Sequence, residues 1–241
     1  QIKADKQAGL QPFLVIATAG TTDVGAIDPL DTIADICQAQ DLWLHVDGAY
    51  GGAGLAAPSV RDQFSGIELA DSFIVDPHKW LFAPFDCCAL IYQNPGLARE
   101  AHQQQGAYLE VVYDGVWNSS DYAHHLSRRA RGLPLWFSLA THGTQAYEEA
   151  VEQTLMVARE AATRIQNHPD LELVTDQSLS ICVFRRVGWK ADDYKQWSDQ
   201  QLEQGDSFVT PTKYKNETVL RFCIVNPRTT VTHIEEILAS L

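Results

Sequence analysis

Short apolar runs alternate with polar, glycine-rich segments along the first hundred residues. Short apolar stretches predict four strands, at residues 13–17, 42–47, 72–75 and 88–92, and the first is typical of a buried parallel strand. Pro29 opens a stretch through Gln40 whose apolar residues recur at helical spacing, and residues 61–70 look partly helical. Strand, loop, helix and strand in this order predict βαβ units on a mostly parallel sheet, and therefore an α/β fold.

The remaining sequence changes character twice. Residues 98–131 are polar and interrupted by glycine but contain four aromatic residues, which favours a functional loop over a disordered one. A helix begins after it, and a long helix is predicted from Thr144 to Asn167. Four further strands, a helix and a terminal helix with capping-box spacing at Thr232 and Glu235 then predict a small α+β unit. The predicted strands are residues 171–174, 180–186, 207–213 and 218–225, and the first of these two helices is residues 192–204.

These patterns divide the 241 residues into three parts. Residues 1–97 are assigned to a larger sheet domain, 98–143 to a loop and linker, and 144–241 to the small domain. The chain does not begin with Met, and its first residues read as the tail of a helix or loop. We therefore expect it to be a piece of a longer protein.

The amino-acid composition limits the classes of binding partner and indicates a cellular location. The net charge of −13 argues against nucleic acid or an anionic membrane as a partner, and no apolar run is long enough for a membrane span. Five cysteines form no CxxC pair, which predicts a reducing, cytoplasmic location. Cys87 and Cys88 lie in an apolar run and are predicted to be core residues. No metal site is predicted, because His124 and His125 lack the spacing of one.

One lysine stands out in "DSFIVDPHKWLFAPFD", residues 71–86. Lys79 is the only Lys or Arg between Arg61 and Arg99, and apolar residues follow it, although an ammonium group is costly to bury. His78 and Lys79 follow the third strand, Asp47 ends the second, and Thr22 follows the first, so a parallel sheet brings them to one edge.

An amine in an enclosed apolar site is a nucleophile for Schiff-base chemistry, and a nearby carboxylate can hold a pyridinium nitrogen protonated. Lys79 and Asp47 therefore suggest pyridoxal phosphate. The spacing alone leaves another interpretation open, in which Asp47 caps the next element and Lys79 extends its amine into solvent.

The segments "HVDGAYGG" and "ADSFIVDPHKWLFAPFDC" resemble the pyridoxal-phosphate-dependent group II amino-acid decarboxylases. This family includes the aromatic L-amino-acid, histidine, tyrosine and glutamate decarboxylases, and its fold is that of the aspartate aminotransferases. The resemblance covers residues 12–134 and extends more loosely to the C-terminus. It implies an α/β chain of the aspartate-aminotransferase-like type, here the C-terminal half, with pyridoxal 5'-phosphate as cofactor.

The resemblance also implies roles for individual residues. Lys79 matches the lysine that binds the cofactor covalently, and Asp47 matches the partner of the pyridine nitrogen. Around them, Ala49 matches the small residue beside the ring, Thr22 a residue near the ring hydroxyl, and His78 and Asp76 residues near the phosphate. An acid at position 76 is electrostatically awkward beside a phosphate dianion.

The same resemblance implies roles for two more residues, Tyr108 and Arg128. Tyr108 falls in the mobile loop of the family, where a tyrosine protonates the carbon that has lost carbon dioxide, whereas aldehyde-forming relatives tend to carry phenylalanine. The hydroxyl of Tyr108 is thus expected to be a catalytic proton donor. Arg128 in "SRRARGLPLW" matches an arginine that follows this loop, with a surface basic patch as the alternative.

The resulting hypothesis is the decarboxylation of an L-amino acid, with an aromatic substrate first and glutamate or another small amino acid second. The resemblance also implies a homodimer with the active site at its interface. It places the phosphate-binding loop and a ring-stacking histidine in an N-terminal half that this sequence lacks. The alternatives are an aldehyde-forming relative and, from another class, a truncated fragment without catalytic activity.

Overall fold

The first sheet contains the predicted βαβ arrangement. The computed structural model describes residues 1–103 and 118–241. Four strands lie in the order β1-β2-β3-β4, with β1–β2 and β2–β3 parallel and β3–β4 antiparallel. Their bounds are Leu14–Thr18 (β1), Trp43–Asp47 (β2), Ser72–Val75 (β3) and Ala89–Tyr92 (β4). The α/β class with a mostly parallel sheet is therefore confirmed.

The second sheet is entirely antiparallel. Its order is β5-β6-β8-β7, and its strands are Leu171–Leu173 (β5), Ile181–Arg186 (β6), Pro211–Tyr214 (β7) and Glu217–Cys223 (β8). The prediction of a strand at 207–213 was wrong at its start. Strand β7 pairs only with β8, whose residues set its register from Pro211 onward.

Six α-helices occur in the described residues. They are Ile2–Gln7 (α1), Leu30–Gln40 (α2), Pro95–His102 (α3), Gly132–Asn167 (α4), Ala191–Gln204 (α5) and Val231–Ala239 (α6). Gly143 interrupts α4 with non-helical backbone angles, φ 77° and ψ 164°, so the long helix effectively restarts at the predicted Thr144. The N-cap of α6 is Thr230, and His233 completes its capping box, so the predicted pairing of Thr232 with Glu235 was wrong by two residues.

Helix α4 joins two hydrophobic clusters. Val151 and Leu155 in its middle turns are fully buried and belong to a cluster with Leu44, Val46 and Trp80. Later positions contribute to a second cluster on the antiparallel sheet, which includes Phe184 and Phe222. Residues Leu179, Ile181 and Val219 of the second sheet region also pack in the first cluster. The two sheets are thus held together by the part of α4 after Gly143 and by shared core contacts.

Two glycines bring the loops after β1 and β2 into contact. A Cβ atom added to Gly51 would lie 2.4 Å from the Ala19 carbonyl oxygen and 2.5 Å from the Cα atom of Gly20. Gly20 itself has a φ of +92°, which L side chains rarely adopt. Glycine at both positions therefore allows the backbone segments that follow neighbouring strands to touch.

No helix in residues 1–103 or 118–241 combines the length and the apolar composition needed to cross a membrane.

Candidate active site

The carboxyl ends of β1, β2 and β3 lie side by side. Thr18 is in register with Asp47, and Asp47 with Ile74. Beyond the strands, the Asp76 amide donates to the Ala49 carbonyl over 3.0 Å, and the Gly48 amide donates to the Ile74 carbonyl, also over 3.0 Å. The structure therefore brings the segments that carry Asp47, Ala49 and Asp76 to one edge of the sheet.

Asp47 presents a carboxylate at the end of β2. One of its oxygens, Oδ1, accepts a hydrogen bond from the Ala49 amide at 3.0 Å. Within the described part of the chain, the second oxygen accepts no hydrogen bond. The side chain is half-buried. Asp47 thus retains one carboxylate oxygen able to accept a hydrogen bond from a bound group.

The amine of Lys79 is paired with a carboxylate and reaches the surface. Its Nζ atom lies 2.9 Å from Oδ2 of Asp76, and the Lys79 side chain is 37% exposed against 15% for Asp76. The backbone closes a tight turn here, since the Lys79 amide donates to the Asp76 carbonyl at 2.9 Å. Within the described residues, Trp80, Leu81 and Phe82 pack against the first hydrophobic cluster and Phe85 is exposed, so these apolar neighbours do not enclose the amine as expected.

Trp80, the first apolar residue after Lys79, packs into the core. It is fully buried, and its indole Nε1 donates to the Thr154 hydroxyl of α4 at 2.9 Å. The Tyr50 ring stacks on it with ring centroids 5.4 Å apart. Burial raises the pKa of Tyr50, whose hydroxyl hydrogen-bonds Ser180 near the second sheet. Trp80 therefore anchors the turn to the core while the preceding residue, Lys79, faces outward.

His78 is held by the backbone of Cys87. Its Nδ1 atom lies 2.5 Å from the Cys87 carbonyl oxygen and 3.2 Å from the Cys87 amide nitrogen. The shorter contact is to the acceptor, which assigns the proton of the neutral ring to Nδ1. The Nε2 atom is then the nitrogen that can accept a proton or a hydrogen bond.

Cys88 is a neighbour that the sequence pattern misplaced. Cys87 is buried as predicted, whereas Cys88 is exposed. Partial burial of the thiol, together with a hydrogen bond and charge repulsion from Asp76, raises the pKa of Cys88 to about 11 against the opposing effect of Lys79. The thiol is thus protonated at neutral pH. Cys88 lies just before β4, and the apolar run did not reveal its exposure.

Thr22 and Arg128, to which the resemblance assigns roles, are both exposed. Thr22 is exposed, and its carbonyl oxygen accepts a hydrogen bond from the guanidinium of Arg221 on β8. Arg221 therefore brings a positive charge to the loop after β1, a contact that no local pattern in the sequence indicated. Arg128 is exposed and donates to the Ser119 carbonyl at 3.1 Å, and no described contact links it to Lys79.

Tyr108, the predicted proton donor, lies outside the described residues. Its role stays a prediction from the sequence.

Comparison with known proteins identifies the family. The model of the pyridoxal-dependent decarboxylase conserved domain matches residues 1–187. The chain belongs to the pyridoxal-dependent decarboxylases. The aromatic-L-amino-acid decarboxylase of Bacillus atrophaeus is 33% identical over 251 residues, which cover 100% of this chain and 52% of that protein.

Other family members differ in activity. The 3,4-dihydroxyphenylacetaldehyde synthase of Aedes aegypti is 35% identical, covering 92% of this chain and 43% of its own length. The acidic amino acid decarboxylase GADL1 of Xenopus tropicalis is 39% identical over 76% of this chain and 37% of its own length. The chain thus spans about half or less of the relatives that it matches.

A solved structure shows the same fold. The Oryza sativa TDC with PLP and tryptamine superposes with a TM-score of 0.89 at 26% identity, covering 99% of this chain and 52% of that one. The fold is thus that of the fold type I pyridoxal-dependent decarboxylases, and the chain represents part of it.

The side chains at the sheet edge fit the cofactor of this family. A pyridoxal phosphate molecule needs an amine for its aldehyde and a carboxylate for its ring nitrogen, and Lys79 and Asp47 supply these groups at the ends of adjacent strands. His78 precedes the lysine in the chain, and its Nε2 atom is the second polar atom of the ring. The chemistry of this donor set agrees with the family assignment.

Proposed function

We propose that this chain is the lysine-bearing half of an enzyme that decarboxylates an L-amino acid to its amine and carbon dioxide. The observation that carries the proposal is the placement of Lys79 and Asp47 on adjacent parallel strand ends, in a chain of the pyridoxal-dependent decarboxylase family. Lys79 would hold pyridoxal phosphate through its Nζ atom. Asp47 would hold a proton on the ring nitrogen through its carboxylate.

The cofactor, when bound, supplies an electron sink for the electron pair left by the departing carboxylate. The remaining work falls to the side chains. Asp76, whose Oδ2 atom lies 2.9 Å from the Lys79 amine, orients Nζ before the cofactor binds. His78, the residue before Lys79, would offer Nε2 as a hydrogen-bond acceptor to the bound cofactor or substrate. Tyr108 would deliver a proton from its hydroxyl to the substrate carbon once carbon dioxide has left.

An aromatic amino acid is the first candidate substrate. The Bacillus atrophaeus aromatic-L-amino-acid decarboxylase matches the full length of this chain, which supports this choice. Glutamate or another small acidic amino acid is the second candidate, supported by the similarity to the acidic amino acid decarboxylase of Xenopus tropicalis. An aldehyde product is the third, supported by the similarity to the Aedes aegypti synthase.

Incubation of the purified chain with pyridoxal phosphate tests the proposal. We expect the visible absorbance band of the lysine-bound cofactor, and we expect it to vanish in Lys79→Ala. Lys195→Ala is the matched control, because Lys195 is also an ion-paired lysine, with Asp199 as its partner. The band should remain in this control. A band that persists in Lys79→Ala would instead assign the cofactor to another residue.

The same experiment addresses the alternative from another class. A folded chain that gives no band would support a fragment that has no catalytic activity by itself. In that case we propose that it acts with a second polypeptide that supplies the rest of the site. A homodimer and a cytoplasmic location complete the proposal, and both rest on the resemblance and on the cysteine pattern.

A further inference from the structure

A three-residue segment after the candidate lysine contacts the His78 ring at two places. The Cys87 backbone meets Nδ1, with the carbonyl oxygen at 2.5 Å. The Phe85 ring meets the imidazole edge to face, with ring centroids 5.0 Å apart and an angle of 80° between the planes. The position of residues 85–87 therefore sets the orientation of the His78 imidazole.

Asp86 lies between these two contacts and binds two arginines. Its Oδ2 atom accepts a hydrogen bond from Nε of Arg131 at 2.9 Å, and its Oδ1 atom is paired with Nη2 of Arg129. Both arginines come from the segment just before α4, more than forty positions along the chain. One carboxylate thus links the turn after Lys79 to the start of α4.

The charge of Asp86 is maintained at neutral pH. Partial burial raises the pKa of its carboxyl, but a hydrogen bond from its own amide and the charges of Arg131 and Arg129 outweigh that effect and lower the pKa below its ordinary value. A depressed pKa means that the ion pairs are present above the ordinary carboxyl range and are lost only in acid.

Little else fixes the turn. Phe85 is 84% exposed, Pro84 is also exposed, and only Cys87 is inserted into the core, at 4% exposure. Within residues 1–103 and 118–241, apolar burial therefore holds one end of the segment and leaves Pro84 and Phe85 exposed. Among the described contacts, the ion pairs of Asp86 connect this part to a distant element.

We propose that Asp86 is a positioning residue that acts through residues 85–87 to fix the ring orientation and the tautomer of His78. Its relevance to catalysis rests on the proposed function, because His78 lies next to the lysine assigned to the cofactor. The structural part of the proposal does not need the cofactor and can be measured on the chain alone.

Nuclear magnetic resonance of the chain labelled with ¹⁵N-histidine, at a pH where imidazole is neutral, tests the proposal. Long-range couplings report which ring nitrogen carries the proton, and His78→Gln assigns the signal. We expect Nδ1–H to predominate in the unchanged chain. We expect Asp86→Asn, which keeps the shape and removes the charge, to lower the ratio of the Nδ1–H to the Nε2–H tautomer several-fold.

Asp199→Asn is the matched control, since it removes the carboxylate of an exposed ion pair on α5, and it should leave the His78 signal unchanged. If Asp86→Asn fails to fold, the double variant Arg129→Gln with Arg131→Gln removes the same ion pairs from the other side. An unchanged His78 tautomer in whichever variant folds would overturn the proposal. This result is distinguishable from failure of the proposed function, which is read from the cofactor band instead.

Discussion

Neighbouring residues of the Lys79 turn occupy opposite environments. Trp80 is fully buried and hydrogen-bonded to Thr154, whereas the Lys79 side chain is 37% exposed and paired with Asp76. Burying a tryptophan removes a large apolar area from water and holds the local backbone in place. The backbone that carries the Lys79 amine is therefore fixed by its buried neighbour. The apolar stretch around Lys79 serves this anchoring, and it does not form a wall around the amine.

At the residue scale, Tyr108→Phe tests the proton donor. A phenyl ring keeps the size of the side chain but cannot donate a proton, so we expect the product of a complete, active enzyme to shift from amine toward aldehyde. Chromatographic quantification of both products is the measurement. Tyr113→Phe, in the same segment of the sequence, is the control and should leave the ratio unchanged. Unchanged products in Tyr108→Phe would remove it from this role.

The site was predictable where residues follow strand ends. Asp47 and Lys79 could be placed at one edge because parallel strands bring their carboxyl ends together. The contacts of Arg221 with Thr22 and of Arg129 with Asp86 span 199 and 43 positions in the sequence. Such pairs depend on the packing of distant elements, which no local pattern encodes.

At the scale of elements, continuous apolar runs located the strands of the first sheet within about one residue of each end. The errors occur where strand pairing or helix capping determines the first residue of an element. Strand β7 begins at Pro211 because β8 is its only described partner, and α6 begins after Thr230 because that side chain caps the His233 amide. Both depend on one contact partner, which propensity alone does not identify.

Gly51→Ala tests the close approach of the loops after β1 and β2. The added Cβ atom would lie 2.4 Å from a backbone oxygen, so the loops must separate, and overpacking of this kind costs about 1–3 kcal/mol. We expect the urea midpoint of unfolding to fall. Gly132→Ala is the control, because nothing lies within 4 Å of its added Cβ atom. Equal midpoints for the two variants would contradict the tight contact.

At the scale of the molecule, the first sheet has two open edges. Strands β1 and β4 each pair on one side only within the described residues, and apolar side chains on them are exposed, including Ile16 at 60% and Ile91 at 54%. Unpaired edges with exposed apolar residues favour strand addition and association. The chain also spans only about half of the relatives that it matches. We therefore expect these edges to be covered in the complete protein, either by further chain or by a partner.

Substitution of Ile16 by lysine tests this expectation on the isolated chain. Without a covering polypeptide, the open β1 edge should cause concentration-dependent self-association, and a charge on the edge should oppose it because a buried ammonium is costly. Sedimentation velocity over a concentration series should show a larger monomer fraction for Ile16→Lys. Phe208→Lys is the control, since Phe208 is 77% exposed but lies outside the first sheet. If the two variants associate equally, or if the unchanged chain stays monomeric throughout, the β1 edge is not the surface responsible.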